Sequence, residues 1–133
     1  MKTNNSILIG KYIYQFLTES DELQSYLNGK VYPLIVDEDI TYPFVVYSRQ
    51  GVVPSYNKDG NYQDNISITI HIVSDNYVET LEIANIIRHI FELKRYTDDK
   101  IAITQFLIDN VSESFEEDAY IQTLNISAIC GTI

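Results

Sequence analysis

The residues of this sequence that could take part in acid–base or metal chemistry are two histidines and two runs of adjacent carboxylates. A metal site needs several donors at a characteristic spacing, and a calcium loop needs regularly spaced oxygen ligands. Neither spacing is present. The acidic runs are therefore interpreted as solvated loops and the histidines as structural or solvated residues, and no metal or cofactor is predicted. These residues are His71 and His89, then Asp37, Glu38 and Asp39, and finally Glu116, Glu117 and Asp118.

The residue types used for nucleophilic catalysis and phosphate binding lack the arrangement that such chemistry needs. Cys130 is the single cysteine, and its aliphatic neighbours are typical of a small buried hydrophobe. A lone cysteine excludes an internal disulfide and suits a reducing compartment. Gly51, Gly60 and Gly131 are isolated from one another, so no phosphate-binding loop is expected. The sequence predicts a protein that is not an enzyme.

The charge balance limits the partners. In 133 residues there are 9 Lys and Arg against 19 Asp and Glu, so the net charge is −10. Proteins that grip DNA or RNA neutralise phosphates with clustered basic residues, whereas the basic residues here are scattered and Lys94–Arg95 is their single adjacent pair. We expect neither specific nucleic-acid binding nor membrane attachment. Hydrophobic residues make up 45 % of the chain, which suits one domain over residues 1–133.

Tyrosine is frequent, with 11 copies, whereas tryptophan is absent. Because its ring is amphipathic, tyrosine is enriched at protein–protein interfaces. The alternative is that tyrosines cover sheet edges and carry no information about partners, and both interpretations stay open at this point. The candidate interface residues are Tyr56, Tyr62 and Tyr77.

Apolar residues at helical spacing predict two short helices near the N-terminus. The first carries its apolar stripe from Ile9 to Leu17, behind a cap at Asn5 or Ser6. Ser20 is suited to cap the second helix, which Asn28–Gly29 would end with a left-handed residue.

A longer helix is predicted in the middle of the chain. Ser74 or Asp75 would cap it, and it would run to about Leu93. Its apolar stripe contains Leu81, Ala84, Ile87 and Phe91 and is broadened by further isoleucines.

Alternation of apolar and polar residues predicts the strands, most clearly from Tyr62 to Ser74. Residues 55–61 are polar and contain Asp59–Gly60, so they form a loop or the tip of a long hairpin. The predicted class is α+β, with a mainly antiparallel sheet of about four strands and the N-terminal and central helices packed on one face. The strands are Phe44–Tyr47, Tyr62–Ser74, Ile101–Ile108 with an extension towards Phe115, and Tyr120–Cys130, and the last turn is Glu116–Asp118.

The order of these segments along the chain resembles a known family. The sequence resembles the tail completion proteins of long-tailed bacteriophages, relatives of tail terminators and other head–tail joining proteins, from about Ile7 to Ile129. The segments that carry the resemblance are Leu27–Pro33 (LNGKVYP), Tyr42–Tyr47 (YPFVVY), the strand Ile66–Ile72, the helix that opens with Ser74–Tyr77, and the hairpin around Glu117–Tyr120.

The resemblance implies a structural role. Members of the family form rings, typically hexameric, at the head-proximal end of the tail tube, where they stop tube growth and dock onto the head connector. The implied partners are further copies of the chain, the major tail tube protein and the head connector protein. The implied location is the virion tail, with the host cytoplasm as the site of assembly. The family offers no catalytic residue or cofactor to carry over.

The acidic runs acquire a possible purpose in such a ring. If Asp37–Asp39 or Glu116–Asp118 line its lumen, they would repel DNA phosphates and let the genome slide through. The simpler interpretation is that both loops point into solvent. A second hypothesis is a monomeric or dimeric module that binds a peptide or small ligand on its sheet face. A small hydrolase, which would pair His71 or His89 with a carboxylate and a nucleophile, is a weaker third.

Overall fold

The computed structural model describes residues 3–60 and 62–133, and its fold is α+β, as predicted. Helices and strands follow the predicted order, with a short 3₁₀ turn at Ser6–Leu8 before the first helix. The helices are α1 (Ile9–Thr18), α2 (Asp21–Leu27) and α3 (Tyr77–Phe91). The strands are β1 (Val31–Pro33), β2 (Phe44–Tyr56), β3 (Tyr62–Ser74), β4 (Tyr96–Thr97), β5 (Ala102–Glu116) and β6 (Ala119–Gly131).

The strands of the described residues form a six-stranded sheet in the order β1-β2-β3-β6-β5-β4. All neighbours are antiparallel except β1, which runs parallel to β2. The predicted number of about four strands was therefore wrong, because β1 and β4 are additional. β1 has 3 residues and β4 has 2, and strands this short show no recognisable alternation in the sequence.

The N-terminal helices form where the sequence predicts them. The Ser20 side chain accepts a hydrogen bond from the backbone N–H of Leu23 at 3.2 Å and begins α2, and Asn28 ends it with a φ of 48°. The predicted cap of α1 was wrong, because the Asn5 amide instead donates to the carbonyl of Lys100 at 2.6 Å. The buried stripe of α1 is the predicted one, Ile9, Tyr12, Ile13, Phe16 and Leu17.

Helix α3 begins slightly later than predicted and buries most of the predicted stripe. Its N-cap is Asn76, whose side chain accepts from the backbone N–H of Glu79 at 3.1 Å. Ser74 is buried and donates to the Glu79 carboxylate at 2.8 Å. Leu81, predicted to be in the core, is 40 % exposed, and Thr80 is buried in its place. Ala84, Ile87 and Phe91 of the predicted stripe are buried, so the buried face is the predicted one apart from Leu81.

Two long hairpins make up most of the sheet. β2 pairs with β3 along its whole length, from Phe44 opposite Val73 to Tyr56 opposite Tyr62, so residues 57–60 lie at the tip of a hairpin, as one of the two predicted alternatives had it. Asn61 lies outside the described residues. β2 extends well beyond the predicted Tyr47 because its distal half is exposed and does not require alternation. The second hairpin joins β5 to β6 through a turn of two residues.

All three helices share one core on one side of the sheet. The ring of Phe16 in α1 lies 6.2 Å from that of Phe91 in α3 and 6.1 Å from that of Phe106 in β5. Phe91 and Phe106 are 5.1 Å apart, so this cluster joins two helices to the sheet. The alternating apolar residues of the predicted strands β3 and β6 are buried against the helices, namely Ile66, Ile68, Ile70 and Ile72 in β3 and Leu124, Ile126, Ala128 and Cys130 in β6. Side chains on the opposite face, such as Thr69, are only partly covered.

Candidate assembly surfaces

The two predicted acidic runs lie in different parts of the molecule. Asp37–Asp39 is exposed in the loop that joins β1 to β2. Glu116 is the last residue of β5, and Glu117 and Asp118 form the turn of the β5–β6 hairpin. Glu116 and Glu117 line a hollow together with Tyr42, which follows the first run along the chain. The first run therefore lies in a loop at the β1 edge of the sheet, and the second run lies at the end of the β5–β6 hairpin.

The β5–β6 turn holds its carboxylates in an unfavourable backbone conformation. Glu117 has a φ of 52° and Asp118 a φ of 62°, and a two-residue hairpin of type I′ requires positive φ at both positions. Asn-Gly is the usual solution, since residues with a Cβ lose about 1–2 kcal/mol in the left-handed region. Residues other than glycine and asparagine that are held in this region cluster at functional sites.

The three candidate tyrosines fall into two groups. Tyr56 and Tyr62 flank the tip of the β2–β3 hairpin with ring centroids 5.0 Å apart. Tyr77, at the start of α3, packs instead against Tyr120 of β6 at 5.4 Å. Tyr120 also contacts Phe115 of β5 at 4.9 Å. The structure therefore places one aromatic pair at each end of the sheet, and Tyr77 joins the pair beside the acidic turn.

Glu113 links Tyr77 to the sheet. The Tyr77 hydroxyl donates to the Glu113 carboxylate at 3.0 Å, and the Gln122 amide donates to it at 2.9 Å. The bonds from Gln122 and Tyr77 lower the pKa of Glu113, and the bond to Glu113 raises the pKa of Tyr77. Glu113 is therefore ionised at neutral pH and contributes a negative charge to β5.

The two histidines lie on different sides of the molecule. His71 is half-buried on the open sheet face, where its Nδ1 lies 2.9 Å from the hydroxyl of Thr123 and burial lowers its pKa. Ser114 and Glu116 line the same shallow hollow as His71. The hydrogen bond of the His71 ring is with Thr123, not with this serine or this carboxylate. His89 is exposed on α3. Within residues 3–60 and 62–133, no group of three or more His, Cys, Asp or Glu could hold a metal ion.

Cys130 is buried in β6, as predicted. Burial, with a smaller contribution from Asp64, raises the pKa of its thiol to about 12. Asp64 is itself buried and accepts a hydrogen bond from the Ser6 hydroxyl. Because the thiolate is the nucleophilic form of cysteine, this thiol is unreactive at neutral pH.

A hollow of about 230 Å³ lies at the β1 edge of the sheet, between the start of α1 and strands β1 and β2. We call it the β1 groove. It is mainly apolar, and its charged lining residue is Arg49, whose Nη1 donates to the carbonyl of Ile7 at 3.0 Å. Its lining includes Ile7, Ile13, Pro33, Leu34, Tyr47 and Arg49.

A strained turn places two aliphatic side chains at the mouth of the β1 groove. Leu34 has a φ of 67°, and the backbone N–H of Ile35 donates to the carbonyl of Pro33 at 2.7 Å, which closes a rare three-residue turn. Leu34 is 71 % exposed and Ile35 81 % exposed. The residue types considered for chemistry do not reveal this surface, although the adjacent aliphatic residues just before the acidic run Asp37–Asp39 are a signal in the sequence.

The outer side of β5 is the second surface that the residue types did not reveal. β4 pairs only with Ala102 and Ile103 of β5. Further along β5, the backbone N–H of Phe106 donates to the carbonyl of Lys94 at 2.9 Å. No strand of the described residues pairs with that side of β5 over residues 109–116. We call this stretch the β5 edge. Its exposed apolar side chains are Val111 and Phe115.

The chain is similar to known proteins in sequence and in fold. The family model described as Tail completion protein gp17 matches residues 11–130. A chain in the structure titled "Virion of native gene transfer agent (GTA) particle" has the same fold, with a TM-score of 0.79 at 12 % sequence identity. That alignment covers 90 % of this chain and 91 % of the other. No curated protein matches the sequence.

Proposed function

The chain belongs to the Tail completion protein gp17 family of bacteriophage structural proteins, and we propose that it caps the tail tube of a phage or prophage particle and joins the tail to the head. The match over residues 11–130 carries the proposal, since it includes all or nearly all of every long strand and all or most of each α-helix. The fold shared with a chain of the gene transfer agent virion supports it. The protein would act in the virion tail after assembly in the bacterial cytoplasm.

The proposed form is a ring of identical copies, hexameric by resemblance, between the major tail tube protein and the head connector protein. A domain of this length has a radius of gyration of about 14 Å, so one copy cannot enclose a DNA duplex, whereas a closed ring can. The exposed apolar side chains at both sheet edges support assembly, because such surfaces mark protein contacts. Tyr56 and Tyr62, at the tip of the β2–β3 hairpin, are proposed to contact the tube or the connector.

A non-catalytic role agrees with how the titratable groups are arranged. His71 lies on the open face of the sheet and α3, which carries His89, lies on the other face, so the two rings do not converge. The variant His71→Ala/His89→Ala should still assemble into particles. Loss of particle formation in a variant that folds normally would favour a direct role for a histidine.

The acidic runs are proposed to face the lumen, as repulsive surfaces for DNA. The strained turn at Glu117 and Asp118 supports this assignment more strongly for Glu116–Asp118 than for Asp37–Asp39. Neutralising Glu116–Asp118 to amides should slow DNA ejection without preventing ring assembly. Neutralising Asp21 and Glu22 on α2 is the matched control, and unchanged ejection in the turn variant would contradict the assignment.

The function is tested by removing the gene from the phage or prophage that encodes it. Without the cap, heads and tails should accumulate unjoined, and supplying the chain from a plasmid should restore joined particles. Joined, infectious particles made in its absence would refute the proposal. A binding module without this role would leave particle yield unchanged, and light scattering would find it as a monomer or dimer even with tube protein added.

A further inference from the structure

We propose that copies of this chain pack head to tail, with the β5 edge of one copy seated in the β1 groove of the next. This inference rests on the ring proposed above and names the surfaces that close it. Its occupant is a second copy of the chain, and its central contact is the side chain of Phe115 in the groove beside Leu34.

The positions of the two surfaces determine the kind of assembly. The β1 groove lies at the β1 end of the strand order and the β5 edge lies at the opposite end. A contact between two different surfaces is heterologous, so each copy uses one surface for each neighbour, and repetition about an axis closes a ring. A single surface that paired with itself would stop at a dimer.

The β5 edge has the properties of an unfinished interface. Its outer backbone groups have no strand partner among the described residues, and an unpaired strand is a ready template for another chain. Phe115 is 58 % exposed although it contacts Tyr120. No proline interrupts residues 109–116. By contrast, Pro54 lies in the exposed half of β2 and lacks the N–H that pairing would use.

The β1 groove fits an aromatic side chain in size and in polarity. A cavity of about 150 Å³ holds a benzene ring, and the groove measures about 230 Å³. Ile7, Pro33 and Leu34 supply apolar walls. The turn at Leu34 keeps an aliphatic side chain exposed in a strained conformation, which suggests that its contact partner is another molecule.

Charge favours this pairing over two identical edges facing each other. The β5 edge carries Asp109, Glu113 and Glu116 and no basic residue. Two such edges together would set like charges against each other, which costs affinity. The β1 groove presents Arg49, and a guanidinium has five N–H donors, so those not used on Ile7 are free for a carboxylate of the neighbour.

Cross-linking between differently tagged full-length chains tests the contact. Leu34→Cys and Phe115→Cys chains are co-expressed with the other tail and head proteins, and particles are treated with a short bis-maleimide. Buried Cys130 does not compete for the reagent. We expect Leu34→Cys to join Phe115→Cys in a mixed product, and neither variant alone to form a dimer. Tyr56→Cys is the matched control, because Tyr56 is also an exposed aromatic residue beside a hairpin tip, and it should not cross-link to Leu34→Cys.

The outcomes separate this inference from the proposed function. Particles that contain both variants without the mixed product, or with Phe115→Cys joined to itself, would overturn head-to-tail packing and leave the capping role intact. If Phe115→Cys chains are excluded from particles, the pair Ile35→Cys and Ser114→Cys tests the same contact with Leu34 and Phe115 unchanged. Exclusion of wild-type chains from particles would refute the proposed function itself.

Discussion

The two long hairpins of the sheet have the same construction and differ in what they expose. Each joins two long antiparallel strands, and each has an aromatic pair beside its turn, at 5.0 Å in β2–β3 and 4.9 Å in β5–β6. At the first turn, Gly60 has a φ of 78°. At the second, Glu117 and Asp118 take up left-handed conformations that glycine or asparagine would adopt more easily.

The outer strands of the two hairpins, β2 and β5, also differ in charge and in proline content. β2 contains Arg49 and no acidic residue, and Pro54 blocks part of its exposed side. β5 contains three acidic residues and no proline. The first hairpin thus follows the rules that keep a strand edge unpaired. The second departs from rules of stability at its turn, as expected of a surface selected for assembly. Both hairpins expose apolar side chains, Val53 and Tyr56 in β2 and Val111 and Phe115 in β5, so proline and charge distinguish their edges.

The largest expected effect separates the base of β5 from its tip. Phe106 is fully buried among Phe16 and Phe91, so Phe106→Ala should lower the free energy of unfolding by about 3–5 kcal/mol. Phe115→Ala, on the same strand, should lower it by about 1 kcal/mol or less, because it loses one partly exposed aromatic contact. Urea unfolding measures both. Equal losses would mean that the tip of β5 belongs to the core.

The second prediction compares the two hairpins in association between copies. Phe115→Ala should weaken ring formation by about tenfold or more, as truncation of a central interface residue does. Val53→Ala, in the exposed half of β2, should change it by less than about twofold. Analytical ultracentrifugation with tube protein present gives both values. A larger effect for Val53→Ala would move the contact between copies to the other hairpin.

The third prediction compares the backbone strain of the two hairpin turns, by placing Asn and Gly in the β5–β6 turn and Ala in the β2–β3 turn. Glu117→Asn/Asp118→Gly should raise the free energy of unfolding by about 1–2 kcal/mol, because it relieves the left-handed conformations. Gly60→Ala should lower it by about 1 kcal/mol, although a Cβ there meets nothing within 4 Å, because only the backbone is strained. Thermal unfolding measures both changes. A stabilised turn variant that also ejects DNA normally would show that the strain has no use in the lumen.

The smallest expected effect lies where the hairpins meet, at His71 of β3 and Thr123 of β6. Burial lowers the pKa of His71 in the folded state below its ordinary value of 6.5. Between this lowered pKa and pH 6.5, the unfolded chain therefore binds more protons than the folded chain. The contribution of neutral His71 to the free energy of unfolding is present above about pH 6.5 and is lost as the pH falls through the folded pKa. His71→Gln should flatten the dependence of stability on pH between about pH 7 and pH 5. If the slope of the free energy of unfolding against pH is unchanged in this variant, groups other than His71 cause the pH dependence.

Local patterns in the sequence predict most of the fold. The stripe of α1, the Ser20 cap, the left-handed Asn28 and the alternation of β3 each depend on neighbours along the chain. Propensity and periodicity describe such interactions directly. The family resemblance likewise depends on the order of these segments and is confirmed by the match over residues 11–130.

Only the tertiary structure decided which surfaces are left exposed. β1 and β4 are strands because of the partners they meet, and Leu81 is the one residue of the predicted α3 stripe that packing leaves exposed. The β1 groove and the β5 edge each join residues that are distant in sequence, and they lie at opposite edges because of the strand order. Burial is a property of the packed molecule, so a sequence reveals which side chains are apolar but not which of them the fold leaves uncovered.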